Sequence, residues 1–421
     1  MGKKINLNNM QFIKYIAHKY KKQVAFAVMV IVIVITNLFF ANKKSENFVE
    51  PSYADNGEKM IGSAACKTCH KEIYDSHIKT AHFNDSKVAD VKSIKGSFAN
   101  GQNIFNYNMF MSVAMVKDGK RLIQSARIGG EEVQRAGFDL VIGSGRKGQS
   151  YLYWDNNKLF QLPISYYTAT NSWCNSPGFP NFVYYERPIP LNCLECHSSF
   201  AKTINEQEEF VEYDRKALVM GIDCERCHGA GADHVAYQVA NPKDTVGRYI
   251  VNTAHKDRQV RLDGCALCHS GIRSPLKPPF TFKVGDTLNH FSVGKPISHQ
   301  ADTLDVHGNQ YGLLAASKCF LQSTQMDCSS CHNVHRDEFN DPKLYSQRCI
   351  SCHNSPTQTK CTVKVDKNIV LANNCIDCHM PILASKKIQL NVSGGQKLQP
   401  DYIRTHFISI YREESRKFME R

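Results

Sequence analysis

The chemistry of this chain is densest between Cys328 and His379, where C-S-S-C-H, C-I-S-C-H and C-I-D-C-H follow one another within fifty-two residues. Four more copies of C-x-x-C-H lie upstream, at Cys66–His70, Cys193–His197, Cys224–His228 and Cys265–His269, so seven copies use fourteen of the seventeen cysteines. With 17 Cys and 17 His in 421 residues, about 0.03 such motifs would arise by chance. Zinc sites pair C-x-x-C units or add spaced histidines, and they do not require a His directly after every second Cys. Cysteines three positions apart share one face of a helical turn. Both thiols can there form thioethers with one porphyrin edge, and the adjacent His reaches the iron as an axial ligand. The spacing is that of c-type haem attachment.

The cofactor expectation is therefore seven covalently bound c-type haems. Their attachment residues are Cys66 and Cys69, Cys193 and Cys196, Cys224 and Cys227, Cys265 and Cys268, Cys328 and Cys331, Cys349 and Cys352, and Cys375 and Cys378. The proximal iron ligands are His70, His197, His228, His269, His332, His353 and His379. A second axial ligand tunes the iron. Nine histidines outside the motifs follow residue 42: His77, His82, His234, His255, His290, His299, His307, His335 and His406. Nine candidates for seven irons permit two histidines on every haem. Of the three remaining cysteines, Cys174, Cys319 and Cys361, the last two lie among the final haem sites and are expected to pair in an oxidising compartment.

The elements that must position these residues divide the chain unevenly. Residues 1–23 form a basic tail, with Lys3, Lys4, Lys14, Lys19, Lys21 and Lys22 and no acid. Val24–Ala41 is an apolar run of eighteen broken only by Thr36 and Asn37, the length of a transmembrane helix, and the positive flank places its start in the cytoplasm; an uncleaved anchor is favoured, with a cleaved signal peptide as the alternative. Residues 42–60 read as a linker, 61–412 as the haem domain and 413–421 as a tail. Between the first and second motifs, Phe105, Tyr107, Met109, Met111, Val113 and Met115 alternate as in a strand. Asp118-Gly119 and Asp155-Asn156-Asn157 mark hairpin turns. A small β-rich insertion is expected at about 100–170. Gly143–Gly148 matches G-x-G-x-x-G, but strand-like S-Y-L-Y-W follows it where a dinucleotide site needs a helix; a tight loop beside a haem or between strands is expected instead. The fold class that follows is mostly α with extensive irregular structure, a multihaem cytochrome c fold with that β insertion and one N-terminal transmembrane helix.

The formal charge of +13 loses six units to the basic tail and about one more for each ferric haem with two ionised propionates. It gives no ground for nucleic-acid binding, and none is expected.

Several stretches resemble the multihaem c-type cytochromes with a cytochrome c-552/c-554-type domain, relatives of the tetrahaem cytochromes that accept electrons from hydroxylamine oxidoreductase. The stretches are CKTCHKEIYDSHIKTAHF, VIGSGRKGQSYLYW with LPISYY and SPGF, GIDCERCHGAGADH, HGNQYGLLAASKCF with CSSCHNVH, and CIDCHMP with RTHFISIY. The resemblance covers roughly residues 61–412. It implies His82, His234, His307, His335 and His406 as second iron ligands, and it weakens His77. It also implies an electron carrier or an oxidoreductase. The chain has no C-x-x-C-K variant and fewer haem sites than the eight of the hydroxylamine oxidoreductase type, which favours the carrier. The expectation is an exported, membrane-anchored cytochrome in the bacterial inner membrane, its haem domain in the periplasm, passing electrons between redox partner proteins. The alternative is a multihaem enzyme that reduces a small nitrogen or sulfur compound at one open haem.

Overall fold

The computed structural model describes residues 59–205, 210–294, 304–353, 361, 371–393 and 398–420, all within the unit 51–421. Val24–Ala41 lies outside the described residues. Among those described, no helix is long and apolar enough to cross a membrane.

The structure corrects the expectation of a mostly helical chain. Helix and strand are nearly equal, at 28% and 27%, and most of the strands build two antiparallel sheets, with two short strand pairs beside them. A four-stranded meander runs Ile104–Asn106, Met111–Asp118, Arg121–Ile128, Glu131–Gly137. A larger sheet has at its centre Lys158–Gln161, Gly148–Asp155, Ile164–Tyr167 and Ser172–Asn175, and extends to Thr203–Asn205 at one end and Ile382–Val392 with Gln399–Arg404 at the other. The strands are therefore not confined to 100–170. The physical reason is where the apolar side chains lie. Phe105, Val113, Met115, Val141, Tyr151, Leu162, Ile164, Trp173 and Tyr185 pack as one buried cluster between the sheets. The helices that carry the haem motifs bury few side chains of their own; the longest of them span twelve residues, Arg258–His269 and Pro342–His353.

Both expected hairpin turns are present. Asp118 pairs with Arg121 across Gly119, whose φ is +57°, and Asp155 pairs with Lys158 across Asn156, whose φ is +50°. The alternation from Phe105 to Met115 is one strand in the sequence and two in the structure. The Asn108 side chain accepts from the N–H of Phe110 and of Met111, both at 2.9 Å, and folds the segment back on itself, which leaves Met109 92% exposed. The glycine-rich 143–148 is the tight loop between Leu140–Ile142 and Gly148–Asp155.

The C-terminal hairpin joins the sheet through Cys174 opposite Val392 and Asn175 opposite Asn391. Cys174 is fully buried there, and burial pushes its thiol up to about 12, so it acts as a small apolar filler. Cys319 and Cys361 are not bonded to each other; both are free.

Candidate functional site

Every C-x-x-C-H motif folds as a helical turn. His197, His228, His269, His353 and His379 each close a helix. In the other two the His N–H donates to the carbonyl of the first Cys, at 2.9 Å from His70 to Cys66 and from His332 to Cys328. This geometry puts the paired thiols on one side. Asp223 starts the turn of Cys224–His228 by accepting from Glu225 N at 3.0 Å, and Asp327 starts that of Cys328 through a capping box with Ser330.

The seven motifs form one connected set, and named side chains make each junction. Buried Glu225 accepts from Ile61 N at 2.9 Å and Gly62 N at 2.7 Å, which brings the third motif to the first, and the Cys66 and Cys224 thiols hydrogen-bond. Arg226 donates to the Glu195 carbonyl at 2.8 Å, joining the third motif to the second. Cys196 Sγ reaches the Leu267 carbonyl at 4.0 Å between the second and fourth motifs, where it neighbours Cys268. Cys265 and Cys328 neighbour each other between the fourth and fifth, where Arg261 also pairs with Asp327. Arg348 reaches the Cys331 carbonyl and Glu338 between the fifth and sixth. Cys375 N donates to Ser346 Oγ at 3.0 Å between the sixth and seventh. Cys227 is exposed, yet the surrounding protein pushes its thiol up to about 11.

The fit to haem iron can be tested on the histidines. An iron held between two imidazole nitrogens at about 2.0 Å each would set the ring centres about 6.2 Å apart. His70 and His234 stand at 6.5 Å, His82 and His269 at 6.0 Å, His228 and His335 at 6.1 Å, and His332 and His406 at 6.2 Å. Each pair joins one motif histidine to one outside the motifs. A ligating imidazole needs its second nitrogen held by an acceptor. The Nδ1 of His228, His234 and His379 meets the carbonyls of Val251, Arg248 and Ser409 at 2.8, 2.8 and 2.9 Å. Burial holds His82 and His406 down to about 4, so each is neutral near pH 7, as a ligand must be.

The other histidines differ. His77 uses both ring nitrogens on carbonyls, Nδ1 on Val334 at 3.2 Å and Nε2 on Ile222 at 3.1 Å. His255, His290 and His307 are exposed, and His299 lies outside the described residues. Among the described residues, no second histidine stands at iron spacing from His197, His353 or His379. His197 instead places Nδ1 2.8 Å from Asp85 Oδ2, a contact that no motif in the sequence points to.

The family model described as cytochrome c554 and c-prime matches residues 186–229 and 327–398, which hold five of the seven motifs. The C-type polyheme cytochrome OmcC of Geobacter sulfurreducens is 29% identical over 100 residues, 24% of this chain and 12% of that protein. The chain thus spans about one eighth of that relative's length. The crystal structure of the outer cell wall cytochrome OcwA shares the fold, with a TM-score of 0.53 and 15% identity over 86% of this chain and 82% of that one. The repeated attachment motifs and the partial matches to the family model and to OmcC support a multihaem c-type cytochrome, and the likeness to OcwA shows the fold.

Proposed function

We propose that the chain carries seven haems and conducts electrons between redox partner proteins. The observation that carries this reading is the unbroken contact from motif to motif, six junctions for seven sites, made by carboxylate, guanidinium, hydroxyl and sulfur groups. Haem, when bound, supplies an iron that gains and loses one electron without making or breaking bonds to substrate. The chain's own residues fix the order and spacing of the sites. In this assignment the proximal ligands are His70, His197, His228, His269, His332, His353 and His379, and four of them take His234, His335, His82 and His406 as second ligands. His307 stays a candidate for one of the other three sites. The haem domain belongs in the exported compartment where thioethers form, on the periplasmic side of a bacterial inner membrane. Cell fractionation with haem staining tests that placement, and haem protein recovered only from the cytoplasm would refute it.

Denaturing mass spectrometry of protein matured with a haem-attachment system tests the load. Seven haem masses per chain are expected, and a majority species with five or fewer would mean that some motifs stay unmodified. The second reading, a reductase with one open haem, draws on His197, His353 and His379, which face no second histidine among the described residues. Electron paramagnetic resonance of the oxidised protein separates the two. Low-spin ferric signals alone support the carrier. A high-spin signal amounting to one haem, together with nitrite or hydroxylamine binding, supports the enzyme.

A further inference from the structure

The turn His82–Asp85 carries two side chains aimed at two different motifs. His82 faces His269 with ring centres 6.0 Å apart, and three residues on Asp85 Oδ2 meets His197 Nδ1 at 2.8 Å. The two motifs served are themselves neighbours through Cys196 and Cys268.

The turn is fastened on every side. Asp85 N donates to the His82 carbonyl at 3.1 Å, Ile222 N donates to the same carbonyl at 2.9 Å, and Gly143 N donates to the Asp85 carbonyl at 2.5 Å. Asn84 Nδ2 reaches the Ile78 and Thr80 carbonyls. Gly221, at φ +71°, passes so close that a Cβ would stand 2.2 Å from the Phe83 carbonyl oxygen. The glycine-rich loop at 143–148 thus acts as an anchor for Asp85. Such redundant fixing holds a side chain in one geometry.

Asp85 differs in kind from the acceptors at the other motifs. His228 and His379 donate to backbone carbonyls, and His332 meets the Tyr345 hydroxyl at 3.3 Å; all are neutral. Among the described residues, His197 is the motif histidine with a carboxylate partner. A carboxylate draws the Nδ1 proton, makes Nε2 a stronger donor to iron and adds a nearby negative charge. Each effect favours ferric over ferrous iron. Asp85 is 23% exposed, so water screens its charge only in part.

We propose that Asp85 is a positioning residue that makes the haem on Cys193 and Cys196 the lowest-potential centre of the chain. Electrons placed there run downhill into the site at Cys265–His269. The inference rests on haem attachment at Cys193–His197. Counting haems by mass on the same sample separates a failure of that reading from a failure of this one.

The test is a spectroscopic redox titration of the haem-loaded protein and its Asp85→Asn variant, which keeps an acceptor oxygen and removes the charge. In the variant one haem should move from the low end of the titration to a higher potential while the others stay in place, and Asp85→Glu should restore most of the low-end component. A full haem load with an unchanged titration would overturn the proposal, as would a uniform shift of all haems. Should Asp85→Asn fail to accumulate, electron paramagnetic resonance of the unmodified protein decides. Imidazolate character at one iron narrows its g-spread relative to the other haems, and spectra without such a component reject the role of Asp85.

Discussion

Both ring nitrogens of His77 are taken by the carbonyls of Val334 and Ile222, whereas the ring of His406 stands 6.2 Å from that of the motif histidine His332. The two residues should respond differently to substitution. His406→Ala removes a proposed iron ligand and should create a high-spin ferric signal of one haem. His77→Phe should create none, and should instead cost about 1–3 kcal/mol of stability, because it strips partners from two carbonyls; paramagnetic resonance beside chemical denaturation reads both. Asp223 gives a pH prediction. Burial, with Glu225 close by, raises its carboxyl to about 6. The folded protein therefore holds this proton more tightly than the unfolded chain does. Stability falls as pH rises from about 4 to about 6 and stays lower above that. Asp223→Asn keeps an oxygen to cap the helix at Cys224 and removes the charge. A gain of about 1–3 kcal/mol at pH 7, absent at pH 4, is expected from denaturant titrations at the two pH values. Equal midpoint shifts at both would show that the carboxyl is not the cause.

The attachment motifs were legible because each one is local: five residues fix the thiols, the histidine and the turn. The two hairpin turns were legible for the same reason. The sheet was not. Ile382–Val392 meets Ser172–Asn175 through a register that no local pattern in either segment announces. The count of histidines was readable, but their pairing depends on contacts such as Glu225 with Ile61 and Gly62, which join residues more than 160 positions apart in sequence. Asp85 stayed hidden because a lone Asp after a turn carries no signature of its own. The packing between the sheets is testable at Gly96, where a Cβ would stand 2.1 Å from the Trp173 ring. Trp173 is 3% exposed, and its Nε1 donates to the Ser97 carbonyl at 2.8 Å. Gly96→Ala must displace that ring and should cost about 1–3 kcal/mol or more. A denaturation midpoint equal to wild type would mean that the segment 95–98 can move away freely.

At the scale of the molecule, helices hold the haem motifs while the sheets supply the side-chain core, and that division explains why a protein with so many cofactor sites is half β in its regular structure. It also predicts how damage spreads. The third motif has junctions to the first and second through Glu225 and Arg226. Arg226→Ala should therefore disturb haem spectra at the second and third sites, whereas Ser346→Ala, at the end junction, should disturb those of the sixth and seventh. Magnetic circular dichroism resolved by redox titration distinguishes the two patterns. The strand Ile382–Val392 begins three residues after His379, at the C-terminal end of the last motif, and it completes the edge of the large sheet against Ser172–Asn175. A chain that emerges from its N-terminus therefore lacks that closing strand until the last C-x-x-C-H motif has emerged. A chain stalled before the last strand keeps the Ser172–Asn175 edge open, where quality-control proteases can find it.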